Sequence, residues 1–432
     1  MGELVVSGDF WPDSRFPATD YGAPMRRGPI LPDGAHTAFY ALLLLIAGLP
    51  DAMVVPVLRG LTVERYGMSD GAAHLFISAS LVGATLIAGF ATRLRKRFGL
   101  RRVICVSAAM NALLLMVMAL PIGAIGTLLV RVLEGGADLM VYAVLFDRIA
   151  HGKDTAKRGA RLGLGATVMM IGIALGMLLG GVIGRDDPAM VLVAGGVTCI
   201  ILCLMAAVVP LGDGGSDRPA ARPAHTRLLL APMLQIFADR AAAGLLVTTV
   251  PLYLAVAHDL DGAAIGSRVG TIMLLMAIGI WPMGKVVDRL GAVRVRVGCT
   301  LCFSCSLLLF PMLMEASGLA LAACVLMGLS AAGLFASALT LAAGARGEAG
   351  GMASFYAAGN AGFFVGPLLG GALVDAISGV SPVVYPMVFV IFGVSHAGLT
   401  ALSLRFAAQS GGATAGETDE TPSVTTPRGI TE

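Results

Sequence analysis

An all-α membrane protein, with twelve transmembrane helices in two pseudo-symmetric six-helix halves, is the architecture this sequence predicts. Three observations carry that reading. The chain is 57% hydrophobic and only 13% charged, with a mean hydropathy of +0.85, which leaves too little polar surface to cover a soluble globule of 432 residues. Apolar runs long enough to cross about 30 Å of hydrocarbon recur from end to end. Four glycines also stand in one arrangement twice, as Gly172, Gly176, Gly180, Gly181 and, 190 positions later, Gly362, Gly366, Gly370, Gly371. A fixed offset of about half the chain marks an internal duplication.

The segments follow in order. Residues 1–35 are polar and contain Pro and Gly, without a basic start leading at once into an apolar core, so they predict a flexible cytoplasmic segment and no signal peptide. The first six-helix bundle is expected over 36–211, with span cores at 37–59, 73–92, 103–122, 124–146, 162–184 and 188–211. Gly48, Pro50 and Pro56 lie in the first span, charged residues in the fourth, and the first glycine set in the fifth. A Gly/Pro-rich polar stretch then breaks the apolar pattern, predicting a cytoplasmic linker over 212–227. The second bundle is expected over 228–408, with cores at 228–254, 265–285, 295–314, 318–341, 352–376 and 383–406. The tail 409–432, rich in Thr, Gly, Ser and acids, cannot bury enough apolar surface to fold alone and is expected to be disordered.

Basic residues set the orientation, because Lys and Arg accumulate on cytoplasmic loops. Arg93, Arg95, Lys96, Arg97, Arg101 and Arg102 lie between spans two and three, and Arg148, Lys153, Lys157, Arg158 and Arg161 between four and five. Arg218, Arg222 and Arg227 occupy the linker, and Lys285, Arg289, Arg294 and Arg296 follow span eight. The opposite loops hold only Arg59, Arg65, Arg185 and Arg268, so both termini are expected in the cytoplasm and the chain in the cell's inner membrane. The net charge of +3 is thus a topology signal, with no interleaved basic and aromatic cluster to suggest nucleic acid.

Several function classes find no support. The seven cysteines all fall inside predicted spans and suggest no disulfide framework; Cys299, Cys302 and Cys305 recur every three residues but lack the paired units of a zinc site. There is no HExxH, Walker loop or nucleophile elbow, so no enzyme, metal or cofactor is expected. The expected partners are a small-molecule substrate, protons and the lipid bilayer, with the chain acting as a monomer.

An ionisable side chain at mid-bilayer costs roughly 2.5–3.5 kcal/mol on insertion scales, so charges inside spans need partners or a function. Asp51, Arg131, Glu134, Asp138, Asp239 and Arg240 all fall near the middle of spans one, four and seven. Arg131, Glu134 and Asp138 share one helical face by their spacing of i, i+3 and i+7. They predict a proton and substrate cavity, or alternatively a structural ion-pair network of Arg131 with Glu134 or Arg240 with Asp138. Asp51 is the first choice for a proton site because no cation neighbours it in sequence, and Arg240 is expected to neutralise span-four carboxylates. His36, His74 and His396 are expected to be hydrogen-bonded packing residues; Asn360 and Tyr356 could reach the cavity.

The loop Gly284-Lys-Val-Val-Asp288-Arg289-Leu-Gly291-Ala-Val-Arg294 resembles the GxxxDRxGRR signature of the major facilitator superfamily. The resemblance implies that Asp288 latches one conformation near a helix N-terminus of the opposite half, held by the helix dipole. The matching loop Lys96-Arg97-Phe98-Gly99-Leu100-Arg101-Arg102 keeps Gly99 and Arg101 but has lysine where the family usually has aspartate, so its latch is expected to differ. Arg131-Val-Leu-Glu134-Gly135 looks like the family's RxxQG motif, followed by Asp147 and Lys157-Arg158-Gly159. Span five resembles the antiporter signature of drug:proton exporters, with Met177 where proline is usual, while span eleven carries Pro367. Span one around Pro50 and Pro56, and span seven around Pro251, also resemble those exporters. The resemblance implies the twelve-helix fold, gating by the glycine faces, and alternating-access export of a small cationic or amphipathic compound in exchange for protons. Proton-coupled uptake by the same fold is the alternative, and a non-transporting sensor or scaffold the second.

Overall fold

The computed structural model describes residues 33–150, 158–208, 226–315, 317–344, 349–378 and 384–415. The expected N-terminal segment and linker lie almost wholly outside these residues, as does most of the expected tail. Span one is broken into α1 (Asp33–Ala47), α2 (Leu49–Met53), a 3₁₀ turn (Val55–Val57) and a π turn (Gly60–Arg65). Pro50 and Pro56 cause the breaks, since proline offers no N–H to the helical ladder. Span two is α3 (Asp70–Ala73) continued as α4 (Leu75–Ala88). Spans four to six are α7 (Gly123–Ala150), α8 (Arg158–Ile183) and α9 (Met190–Val208), after a short basic helix α5 (Ala91–Phe98) and span three, α6 (Leu100–Met118). The second half follows with α10 (Thr226–His258), α11 (Gly262–Leu290), α12 (Ala292–Leu308) extended by α13 (Phe310–Met314), α14 (Ser317–Gly344), α15 (Ala349–Ser378) and α16 (Val384–Ala415).

Ten of the twelve spans are long and apolar enough to cross a membrane by length and composition alone. The exceptions are α7, which carries Arg131, Glu134 and Asp138, and α12, which at 17 residues stops short before Pro311. The outer surface is apolar: Leu86, Val106, Ile125, Leu204 and Met312 are all exposed, as lipid-facing residues should be. Trp281, also exposed, carries the Lys285 ammonium 3.6 Å from its ring centroid near the basic end of α11, as an interfacial anchor.

The duplication is visible in the loops. Gly99 and Gly291 have φ of +74° and +86°, each donates its N–H to the carbonyl four residues back, and each accepts from the N–H four residues on. Left-handed backbone of this kind favours glycine, which is why both motifs need it at this turn. The basic residues expected as an open loop after span two instead form α5, with Arg95, Lys96 and Arg97 in its last turn, where cations suit the negative helix end.

The two glycine sets make equivalent close contacts. A Cβ at Gly172, Gly176 or Gly180 would lie 2.1–2.5 Å from carbonyls of span one, at Leu45, Leu49 and Met53. A Cβ at Gly362 or Gly366 would lie 2.2 or 2.1 Å from carbonyls of span seven, at Phe237 and Ala241, and Pro367 packs on Gly244. The fourth member of each set reaches across the molecule, Gly181 to Gly262 on α11 and Gly371 to Gly71 on α3. Gly366→Val should therefore cost about 1–3 kcal/mol through overpacking, seen as reduced folded yield on size-exclusion chromatography; an unchanged monodisperse yield would argue against backbone contact there.

The halves meet at one end. A single apolar cluster joins Val54, Val57 and Phe76 of the first half to Leu245, Val250 and Val269 of the second. Polar contacts reinforce this end: His74 Nε2 lies 2.9 Å from Thr249 Oγ1, Ser69 donates to Asp375 at 3.3 Å, and Ser78 donates to the Phe364 carbonyl at 3.4 Å. Toward the basic loops the clusters separate, with Tyr40, Val144 and Leu202 in one half and Ile236, Ala338 and Phe355 in the other. The two bundles are thus packed together at the end away from the basic loops and divided at the basic end.

Candidate functional site

The break in span one sets Asp51 in the first turn of α2, where the positive helix end favours a carboxylate. Arg131 from α7 reaches it, Nη1 donating to Asp51 Oδ1 at 2.8 Å and to Glu134 Oε2 at 2.7 Å. The guanidinium lies 4.9 Å from the Phe76 ring centroid, and Nε donates to the Phe76 carbonyl at 3.4 Å. Arg131 and Glu134 are fully buried, whereas the Asp51 side chain is 31% exposed. Asp138 accepts from Asn111 Nδ2 at 3.4 Å, one turn beyond Glu134 on the same face of α7. Tyr142, one turn beyond Asp138, donates to the Ala47 carbonyl at 2.8 Å and ties α7 to the end of α1. Two carboxyls, Asp51 and Glu134, therefore share one arginine, with Asp138 farther along the same helix.

This geometry alters the basis for singling out Asp51. Its counter-ion is absent from its own sequence neighbourhood because it comes from another helix, 80 positions away. The cation beside Glu134 is Arg131 on the same helix, one of the pairs expected from their three-residue spacing.

A second charged cluster lies in the other half. Arg296 is fully buried and grips Asp239 with two hydrogen bonds, Nη1 to Oδ2 at 2.6 Å and Nη2 to Oδ1 at 2.7 Å. It also donates to the Leu334 carbonyl at 3.2 Å and Thr400 Oγ1 at 3.4 Å. His396 completes the cluster, with Nε2 2.9 Å from Asp239 Oδ1 and Nδ1 2.9 Å from Ser304 Oγ. Sequence reasoning assigned Arg296 to a basic loop; the structure turns it inward, four residues past the start of α12. Asp239 and Arg240 point to different partners, as adjacent helical residues should, and Arg240 packs along Gly359 of α15. Both line a cleft between α10, α11, α12 and α14, walled by Met273, Met276, Phe303 and Phe335.

The loop motifs take less engaged positions. Asp288, Arg289 and Arg294 are exposed, Gly284 is half-buried, and Asp288 makes no ion pair among the described residues. Gly99 and Arg101 are likewise exposed, while Arg95 pairs with Asp147 and ties α5 to α7.

Two helical bundles with ionisable side chains turned inward are the build of a membrane transporter. Comparison with known proteins agrees. The model of the Major Facilitator Superfamily matches residues 40–249 and 232–430, and the chain belongs to that superfamily. It is a transporter and not an enzyme. Among solved structures, a bacterial homologue of the human lysosomal transporter Spinster, inward-facing and occupied, aligns with a TM-score of 0.70 at 13% identity, covering 89% of this chain and 98% of that one. The inward-facing, unoccupied form gives 0.69 at 13%, covering 88% and 97%. The nucleoside transporter NupG gives 0.67 at 12%, covering 86% and 98%. No curated protein matches the sequence.

Proposed function

We propose that this protein is a proton-coupled antiporter that exports a small cationic or amphipathic compound across the inner membrane by alternating access. The observation that supports it most is that Asp51 and Glu134 meet on one cation, Arg131, with Asp138 on the same face of α7. One arginine balances one of the three acids, and the surplus is met by protons or by a cationic substrate. A proton and a cation competing for the same carboxylates is the simplest basis for exchange. With the basic loops in the cytoplasm, the closed end is the outer one, and the cavity between the halves opens inward.

Uptake with protons is the second reading, favoured by Met177 standing where the exporter signature has proline. Flux into proteoliposomes under an imposed pH gradient distinguishes the two by the direction of coupling. With ethidium as the cationic amphipathic probe, Asp51→Asn and Asp138→Asn should each lose gradient-driven flux by about 10-fold or more, the scale of one lost charged contact of about 1.4 kcal/mol. Full proton-coupled flux in both variants would overturn the site assignment.

A further inference from the structure

We infer that His396 is a second proton-binding site, carried by the second half and separate from the carboxyl cluster around Arg131. The hydrogen bonds on its two ring nitrogens define the chemistry. Asp239 Oδ1 already accepts from Arg296 Nη2, so its 2.9 Å contact with His396 Nε2 is a bond that holds a proton on the line between them. At the other nitrogen, the partner is a hydroxyl, Ser304 Oγ at 2.9 Å. A hydroxyl donates or accepts by rotating about its C–O bond. With neutral imidazole, Ser304 donates to Nδ1; with imidazolium, Nδ1–H donates to Ser304. The ring can therefore gain or lose a proton without leaving a nitrogen unpaired, which is uncommon for a side chain only 2% exposed.

Charge favours the same reading. The ionisable groups bonded within the cluster are Asp239 from α10 and Arg296 from α12, a pair that cancels when both are ionised. Thr400, from the same helix as His396, accepts from Arg296 and adds no charge. The bonded cluster is neutral with neutral His396 and carries one positive charge with imidazolium, while Arg240, next to Asp239 on α10, adds a fixed positive charge to the same cleft. Asp239 also lines the cleft walled by Phe303 and Phe335, which sets the buried pair against a space between helices of the second half. A positive charge appearing at that cleft would disfavour a cation there, the relation an exchanger needs between proton loading and substrate release.

Nitrogen-15 spectra of histidine-labelled full-length protein in nanodiscs test this directly. The chain has six histidines, and His396→Gln assigns the signal by removing it. His396 should pass from a singly to a doubly protonated ring as the pH is lowered. Ser304→Ala should displace the midpoint by about one pH unit, a tenfold change in proton affinity, and Ser304→Thr, which keeps the hydroxyl, should restore it. A His396 ring that holds one protonation state at every pH at which the protein stays folded, or a midpoint indifferent to Ser304→Ala, would overturn the proposal. The spectrum reports His396 whatever Asp51, Glu134 and Asp138 do, so failure here is separable from failure of the antiport reading.

Discussion

Arg131→Met is expected to be among the most damaging single substitutions in this protein, with a loss of about 3–5 kcal/mol, the usual cost of removing one partner from a buried ion pair. Arg131 is 1% exposed and bonds Asp51 and Glu134 at 2.8 and 2.7 Å. Methionine fills the volume of the stem beside Phe76 but leaves Asp51 and Glu134 without the cation they bond. The loss should be electrostatic more than steric, and that distinction is measurable. Adding Asp51→Asn and Glu134→Gln to Arg131→Met removes the orphaned charges at nearly constant shape and should recover about half of the loss, because an uncharged replacement of a buried ion pair is often close to neutral. The seven free cysteines provide the readout, since a thiol-reactive dye reports their exposure as detergent-solubilised protein is heated. A triple variant that melts no later than Arg131→Met would show that packing, not charge, dominates the site.

What the sequence reveals of this site depends on whether an interaction is local to one helix. Arg131, Glu134 and Asp138 share a face because the helical period dictates it, and the Arg131 to Glu134 pair follows from three-residue spacing. The glycine sets are equally legible, as each contact repeats every four residues along one helix. Asp51 illustrates the opposite case. Its counter-ion crosses from another span, so the absence of a nearby cation in sequence carried no information about its surroundings in space. Arg296 is the sharper lesson. An arginine four residues from a helix start, beside a basic loop, fits a topology count as well as it fits a buried partner, and only the position of Asp239 on α10 decides between them. His396 looked like one more packing histidine because neither Asp239 nor Ser304 is near it in sequence, at separations of 157 and 92. The unequal halves were partly legible, in Lys96 where Asp288 has its counterpart, but the second half's buried charges make it less apolar than its sequence pattern implied.

Substitution of the fourth glycine in each set should change the conformation of the protein more than its fold. Gly172, Gly176 and Gly180 press on span one and Gly362 and Gly366 on span seven, within their own bundles, but Gly181 presses on Gly262 of α11 and Gly371 on Gly71 of α3, between the bundles. A Cβ at Gly181 would lie 2.2 Å from the Gly262 carbonyl oxygen, and one at Gly371 2.5 Å from that of Gly71. Neither backbone can yield inside its helix, so relief comes from parting the halves at the end where they now meet. If valine at one site costs the closed arrangement about 1–3 kcal/mol, the equilibrium shifts roughly 5- to 150-fold toward the arrangement open at that end. Gly181→Val and Gly371→Val together should make that arrangement dominant if its population in the parent protein is near 1%, which takes about 5.5 kcal/mol to invert fully. Arg185 and Asp261 mark the place to measure it: they face each other across the halves at 3.7 Å, are largely exposed, and as a surface pair contribute little on their own. Spin labels at Arg185→Cys and Asp261→Cys, in a background without the native cysteines, should show a short separation in the parent and a long one in the double valine variant. Gly176→Val is the control, because its clash is with Leu49 and Ala52 inside the first bundle; it should lower stability and leave the label separation short. Equal separations in the parent and the double variant, with both folded, would mean that the interface at Gly181 and Gly371 does not hold the closed end together.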